Sequence, residues 1–179
     1  KENFHPIPDG YQIRMSSGTT GLAKFSFATQ SKMVSKEQQW AERLRIIPSD
    51  TVYCPNPMTV GLGDDAVLMT LLHGATLYCN NSSGFDIKVF ISDIIQSKPS
   101  VIISASGMLS AASSNISEVV NIKLSPRVWS ASGAALNYEH ALKIEDHIFG
   151  VVVNLCGRSE SSYFQMCSID DPQDKRLKT

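Results

Sequence analysis

The sequence carries no large excess of charge of either sign. Sixteen Lys and Arg residues stand against 17 Asp and Glu residues, which gives a formal net charge of −1 over 179 residues. Proteins that hold nucleic acid need a basic face to neutralise the phosphate backbone. We therefore expect no nucleic-acid partner.

The sequence also lacks a long apolar run. Its apolar stretches are interrupted within about ten residues, whereas a membrane-spanning helix needs roughly 18 or more. The first residues, Lys-Glu-Asn-Phe-His, do not resemble the apolar segment of a signal peptide. These two absences predict a soluble, cytoplasmic protein without a membrane span.

Cysteine is scarce and scattered. The four cysteines are Cys54, Cys79, Cys156 and Cys167. They form no C-x-x-C pair, and the first three lie in apolar, strand-like runs. This pattern is typical of free thiols in the core of an intracellular protein rather than of a zinc site. We therefore expect buried free thiols.

The sequence does contain a regular alternation of apolar runs and amphipathic segments. Its 179 residues suffice for one compact core. We predict strands over five apolar runs, at residues 51–54, 75–79, 100–104, 127–131 and 151–155. We predict helices over five amphipathic segments, at residues 34–47, 62–73, 86–97, 106–114 and 137–148. This alternation predicts an α/β fold with a mixed, largely parallel sheet covered by helices.

The two ends of the chain differ from this pattern. Apolar and polar residues alternate over 11–15 and again over 25–28, on either side of a glycine-rich loop. This predicts a hairpin-like strand, loop and strand near the N-terminus. The last residues, 174–179, form a polar run for which we predict no closing element.

The most informative segment is that loop, Ser16-Ser17-Gly18-Thr19-Thr20-Gly21-Leu22-Ala23-Lys24. Its glycines expose backbone N–H groups, its four hydroxyls donate hydrogen bonds, and its lysine supplies a cation. These are the groups that bind a polyphosphate. The loop is not a Walker A loop, because Phe25 rather than Ser or Thr follows Lys24 and a strand is predicted next. The alternative is a hairpin turn rich in Ser and Gly that binds no ligand.

Two more segments follow predicted strands, where open α/β sheets bind their ligands. Residues 154–160 end in Gly-Arg-Ser-Glu, and a carboxylate beside a hydroxyl can hold Mg²⁺ next to nucleotide phosphates. Residues 132–136 read Ser-Gly-Ala-Ala-Leu, and such small side chains let a flat ligand approach the backbone. Without a ligand, the first segment is a polar turn and the second allows tight packing of a strand on a helix.

Taken in order, these three segments resemble one family, the adenylate-forming enzymes, which include acyl-CoA synthetases, aryl acid ligases, nonribosomal peptide adenylation domains and luciferases. Residues 16–24 match the family's phosphate-binding signature position by position. Residues 132–136 are similar to its glycine-rich adenine-side loop, and residues 157–160 to the end of its Tyr-Gly-x-Thr-Glu motif. The resemblance implies that residues 1–179 are a single incomplete domain, the central part of a large N-terminal AMP-binding region, without the family's C-terminal domain.

The resemblance also implies a role for each matching residue. The β- and γ-phosphates of ATP would lie among Ser16, Ser17, Thr19, Thr20 and Lys24, in a loop shaped by Gly18 and Gly21. The adenine side would be lined by Gly133, Ala134 and Ala135, with Cys156 and Gly157 nearby. Ser159 would face the α-phosphate, and Glu160 would bind Mg²⁺. The catalytic residues would be Thr20, Lys24 and Glu160.

The reaction that the resemblance implies is the ATP-dependent activation of a carboxylic acid. The carboxylate attacks the α-phosphorus to give an acyl-adenylate and pyrophosphate, and the acyl group then passes to coenzyme A or a carrier-protein thiol. This chemistry needs positioning and charge neutralisation more than a protein nucleophile. The isolated fragment would be inactive. The alternative is a degenerate, non-catalytic member of the family that binds a nucleotide or a partner.

The sequence departs from the family at two places. Cys156 stands where the family usually has an aromatic residue that stacks on adenine, and a thiol cannot stack. Residues 57–62 lack the aromatic-His pair that many relatives carry beside the acyl site. Within them, Gly61 falls where amino-acid-activating relatives hold an aspartate, which argues against an α-amino acid substrate. We predict that Asp64 and Asp65 are the solvated start of a helix rather than substrate ligands.

Overall fold

The computed structural model describes residues 9–16, 24–79, 84–119, 123–158 and 162–178. The strands within these ranges are β1 (Gly10–Ser16), β2 (Lys24–Thr29), β3 (Thr51–Cys54), β4 (Thr76–Cys79), β5 (Val101–Ala105), β6 (Val128–Ser132), β7 (Val151–Arg158) and β8 (Ser162–Met166). The helices are α1 (Gln30–Leu44), α2 (Gly61–Leu72), α3 (Ile87–Ser97), α4 (Ser106–Val119), α5 (Tyr138–Glu145) and α6 (Gln173–Leu177).

These strands form two sheets. β1 and β2 pair with each other as an antiparallel hairpin, and the other six form one sheet in the order β4-β3-β5-β6-β7-β8. Every pair in the larger sheet is parallel except β7 with β8. The predicted α/β fold with a mixed, largely parallel sheet is confirmed.

Helices cover both faces of the larger sheet. On one face, Ile102 and Trp129 belong to a buried cluster with side chains of α3, α4 and α5. On the other face, Ile103 belongs to a second cluster with Trp40 of α1 and Met69 of α2. Since neighbouring strand residues face opposite cores, the strands read as continuous apolar runs in the sequence.

Helix α1 begins directly at the end of the hairpin, at Gln30 rather than at the predicted residue 34. Thr29, the last residue of β2, caps it: the Thr29 hydroxyl accepts a hydrogen bond from the backbone N–H of Lys32 at 3.3 Å. Such a cap satisfies an N–H group that the first helical turn leaves unpaired. The hairpin and α1 are therefore continuous, with no linker between them.

The C-terminal part of the chain contains two elements that the sequence analysis missed, β8 and α6. The prediction of no closing element over 174–179 is wrong, since Arg176 and Leu177 of α6 are buried. The Arg176 guanidinium donates to the backbone carbonyl of Val152 and to the Glu145 carboxylate. A helix this short is stabilised by such tertiary contacts rather than by its own sequence, so its sequence signal is weak.

The cysteines follow the prediction in part. All four are free, and Cys54 and Cys167 are buried. Cys156 is half-buried, and Cys79 is exposed. The prediction of a buried thiol is wrong for Cys79 because β4 is the edge strand of the sheet and its last residue reaches solvent. None of the helices in the described ranges is long and apolar enough to cross a membrane.

Candidate functional site

The carboxyl ends of β3, β5, β6 and β7 lie along one edge of the large sheet, because these strands are parallel. The register sets Ala105 beside Ser132, and Ser132 beside Leu155. Gly133 comes directly after β6 and Cys156 continues β7, so each is one residue beyond the registered pair of Ser132 and Leu155. Two of the segments singled out in the sequence thus meet at the edge where α/β sheets bind ligands.

An exposed loop follows β6 at this edge. Gly133 adopts φ +88°, in the left-handed region that favours glycine. Residues 133–135 are exposed, whereas Ser132 before them and Leu136 after them are buried. The loop is thus anchored at both ends, and its small side chains leave its backbone open to a flat ligand.

Side chains from two neighbouring strand ends hold this edge together. The Ser106 hydroxyl lies 3.1 Å from the carbonyl oxygen of Ser132 and 3.0 Å from that of Ala134. The side-chain carbonyl of Asn56 accepts a hydrogen bond from the backbone N–H of Ala105 at 3.2 Å. Sequence reasoning missed Ser106 and Asn56, because Ser and Asn are common after strands and these partners are distant in the chain.

Cys156 lies near the end of β7, in register with Gln165 of β8. It is half-buried, and a bulge follows it between Cys156 and Gly157. Cys156 follows Leu155, whose register partner Ser132 leads directly into the exposed loop at 133–135. A role of Cys156 at an adenine ring stays a prediction.

The hairpin leads into and out of the glycine-rich segment at residues 17–23. Ser16 ends β1 and Lys24 begins β2, and these two residues pair with each other. The two predicted strands on either side of this segment are therefore confirmed as β1 and β2. Seven predicted site residues lie outside the described residues, and their roles stay predictions: Ser17, Gly18, Thr19, Thr20, Gly21, Ser159 and Glu160.

Buried charges join the hairpin to α1 and α2. The Nη2 atom of Arg14 in β1 donates to Oδ1 of Asp65 and, at 3.2 Å, to Oδ2 of Asp64. The ammonium of Lys36 in α1 donates to the same Oδ1 of Asp65 at 2.6 Å. The side chains of Lys36 and Asp65 are only 6% and 4% exposed.

The prediction that Asp64 and Asp65 form a solvated helix start is therefore wrong for Asp65. Its carboxylate is buried and accepts hydrogen bonds from two cations that belong to different elements. Removing one partner from a buried ion pair costs about 3–5 kcal/mol, because it leaves an uncompensated charge. The ion cluster therefore fixes β1 relative to both helices. The burial of Asp65 could have been predicted from the sequence, because Asp64 and Asp65 are the only charged residues in the otherwise apolar helix Gly61–Leu72.

Glu37 of α1 is fully buried next to this cluster. Its Oε1 atom lies 2.9 Å from Nζ of Lys36. Burial raises the pKa of the Glu37 carboxyl from 4.5 to about 8, although the nearby Lys36 ammonium opposes the rise. With Glu37 neutral, the cations Arg14 and Lys36 face the two carboxylates of Asp64 and Asp65, and the charges balance.

Stability should depend on the protonation of Glu37. Because the folded-state pKa is raised, the contribution of the protonated carboxyl is complete below pH 4.5 and is lost as the pH rises towards about 8. Glu37→Gln keeps the size of the side chain and is neutral at every pH. Its melting temperature should therefore fall less than that of the wild type between about pH 5 and pH 9 in thermal denaturation.

Glu42→Gln is the matched control, since Glu42 is exposed on the same helix. This variant should follow the wild-type dependence of melting temperature on pH. Parallel profiles for Glu37→Gln and the wild type would show that Glu37 does not titrate with a raised pKa in the folded protein.

Comparison with known proteins supports one family. A protein-family model described as AMP-binding enzyme matches residues 8–179. No curated protein matches the sequence.

Solved structures show the same fold at low sequence identity. ATP-bound MatB from Rhodopseudomonas palustris has a TM-score of 0.75 and 15% identity, with 90% of this chain and 31% of that chain covered. A malonyl-CoA ligase in a ternary product complex with methylmalonyl-CoA and AMP has a TM-score of 0.77 and 14% identity, with 89% and 35% covered. The amide bond synthetase McbA from Marinactinospora thermotolerans has a TM-score of 0.78 and 18% identity, with 97% and 34% covered.

This chain thus spans about a third of the length of each of these three structures. Their low identities show a shared fold, and the family model matches nearly the whole sequence. The chain belongs to the AMP-binding family of adenylate-forming enzymes.

Proposed function

We propose that this chain is the nucleotide-binding part of an enzyme that activates a carboxylic acid with ATP. The proposal is carried by the register of β6 and β7, which brings the start of the exposed loop at 133–135 and Cys156 to the same carboxyl edge of the sheet. The hairpin that bears the phosphate-loop signature is held at the first turn of α2, which follows the carboxyl end of β3. The base and the phosphates of one ATP would therefore lie along the same edge.

The residues of this chain would hold the nucleotide rather than react with it. Thr20 and Lys24 would bind the β- and γ-phosphates, and Gly133, Ala134 and Ala135 would line the adenine. Ser159 and Glu160, which follow β7, would meet the α-phosphate and Mg²⁺. Mg²⁺ would neutralise phosphate charge as the substrate carboxylate attacks the α-phosphorus and pyrophosphate leaves.

The start of α2 supports a substrate without an α-amino group. A Cβ atom built on Gly61 would lie 3.7 Å from Nη1 of Arg14. Gly61 itself supplies no carboxylate to an ammonium group, and the nearby carboxylates of Asp64 and Asp65 are already paired with cations of this chain. We infer that the carboxylic acid is not an α-amino acid.

The acyl acceptor is proposed to be the thiol of coenzyme A or of a carrier protein. The malonyl-CoA ligase complex, which holds methylmalonyl-CoA and AMP, supports a thiol acceptor. McbA is described as an amide bond synthetase, so proteins of this fold differ in the bond they form. We propose that the reaction takes place in the cytoplasm, in the full-length protein, and that residues 1–179 alone do not catalyse it.

The proposed reaction predicts exchange of labelled pyrophosphate into ATP. The full-length protein, given Mg²⁺ and a panel of carboxylic acids, should catalyse exchange with its cognate acid. Lys24→Ala removes a cation from the phosphates and Thr20→Ala removes a hydroxyl donor, so each should lower the rate on the order of 10²-fold. Their melting temperatures should change little, because a polar loop contributes little to the core.

Lys32→Ala is the control for these variants, since Lys32 is an exposed lysine at the start of α1. It should exchange pyrophosphate at the wild-type rate. Exchange by Lys24→Ala and Thr20→Ala at that rate would remove the loop from the mechanism. A folded wild-type protein that shows no exchange with any acid would contradict the proposed reaction.

A second candidate function is that of a non-catalytic family member. It is favoured by Cys156, a thiol that cannot stack on adenine as the aromatic residue usual at this position would. If adenine lies against this residue, Cys156→Tyr restores a stacking face. Such a contact contributes about 0.5–1.5 kcal/mol, so ATP should bind roughly threefold to tenfold more tightly in calorimetric titrations of the full-length protein.

Cys79→Tyr adds the same side chain at the far edge of the sheet, on β4, and should leave ATP affinity unchanged. If folded Cys156→Tyr binds ATP no better than the wild type, or not at all, adenine does not occupy the family's place. That result would favour the non-catalytic candidate.

A further inference from the structure

Ser106 is the first residue of α4 and directly follows β5. Its side chain is buried, with 2% of the residue exposed. Its hydroxyl oxygen lies within hydrogen-bond distance of two backbone carbonyls, those of Ser132 at 3.1 Å and Ala134 at 3.0 Å. A serine hydroxyl has one hydrogen. The carbonyls of Ser132 and Ala134 therefore share the single hydroxyl hydrogen of Ser106.

These two carbonyls stand on either side of Gly133, which adopts φ +88°. A loop of glycine and alanine has few side-chain contacts of its own, so its conformation depends on where its backbone groups find partners. Ser106 supplies a partner at both ends of the turn. The conformation of the exposed residues 133–135 therefore depends on a hydroxyl from the neighbouring strand end.

Ser106 is itself held in place. The backbone N–H of Ala105, the preceding residue, donates to the side-chain carbonyl of Asn56 at 3.2 Å. Asn56 follows β3, and Ala105 pairs with Ser132 in the sheet register. The contacts thus run from the end of β3, through the end of β5, to the loop after β6.

We propose that Ser106 is a positioning residue for adenine recognition: its hydroxyl holds residues 132–135 in the shape that receives the base. The inference rests on the proposed function, in which this loop lines the adenine. Backbone groups distinguish adenine from guanine only when they are fixed against the edge of the base. Loss of the Ser106 hydroxyl therefore weakens ATP binding and reduces selectivity for ATP over GTP.

The phosphates should not be affected. They are assigned to the loop between β1 and β2, whose ends are held by the hairpin pairing and by the contacts of Arg14 with Asp64 and Asp65. Inorganic pyrophosphate is therefore a probe of the phosphate loop alone. A residue with a merely structural role would weaken ATP, GTP and pyrophosphate together.

The test is calorimetric titration of ATP, GTP and inorganic pyrophosphate into the full-length protein and its Ser106→Ala variant. One hydrogen bond is lost, so the Kd for ATP should rise about threefold to tenfold, and the preference for ATP over GTP should fall by a similar factor. The Kd for pyrophosphate should stay within about twofold of the wild type. Ser106→Cys keeps a weak donor of similar size and is the second variant should Ser106→Ala not fold; its Kd for ATP should also rise above that of the wild type, with the Kd for pyrophosphate within about twofold.

Ser114→Ala is the matched control. Ser114 lies on the exposed side of the same helix, and its hydroxyl donates to the backbone carbonyl of Ser110 at 3.0 Å. This variant should bind all three ligands as the wild type does.

Two results would overturn the proposal for Ser106 while leaving the proposed function intact. One is an unchanged affinity of the folded Ser106 variants for ATP, and the other is an equal loss of affinity for ATP, GTP and pyrophosphate. A folded wild-type protein that binds pyrophosphate but shows no preference for ATP would overturn the assignment of the adenine loop itself.

Discussion

The buried contact between the Arg14 guanidinium and Asp65 joins the hairpin of β1 and β2 to α2, which packs on the larger sheet. Among the described residues, the hairpin of β1 and β2 pairs with no strand of the larger sheet. Its place therefore depends on its continuation into α1 and on side-chain contacts. Arg14 and Lys36 balance the carboxylates of Asp64 and Asp65, so loss of either cation would leave one carboxylate of the cluster uncompensated. The strands on either side of the glycine-rich segment 17–23 are positioned by this cluster.

The other half of the proposed site is built by parallel pairing. The register of β5, β6 and β7 brings three carboxyl ends to one edge, and short polar contacts from Ser106 and Asn56 then fix the chain that leaves it. The sheet register sets where the loop at 133–135 lies, and the hydrogen bonds set the conformation of its backbone. Residues 133–135 can therefore stay exposed at this edge without a packed side chain of their own.

The sequence predicts most of this arrangement, and its failures at Asp65, α6 and Ser106 share one physical cause. Strands buried on both faces read as apolar runs, so the five strands of the parallel sheet were located to within a residue at their starts. The burial of Asp65 was not predicted because its partners, Arg14 and Lys36, are 51 and 29 residues away in the chain, and no local sequence pattern indicates such distant contacts. Helix α6 was missed because tertiary contacts of Arg176 hold it. Ser106 was missed for the same reason.

The Arg14 contact fixes the hairpin on α1 and α2. Hydrogen exchange measured by mass spectrometry tests it in an Arg14→Gln variant of the full-length protein, with Arg45→Gln as the control for an exposed pair, Arg45 with Asp170. Amides of β1 and β2 should exchange faster in Arg14→Gln than in the wild type, while those of β5 and β6 keep their protection. Unchanged hairpin exchange, or equal acceleration throughout the chain, would contradict the claim.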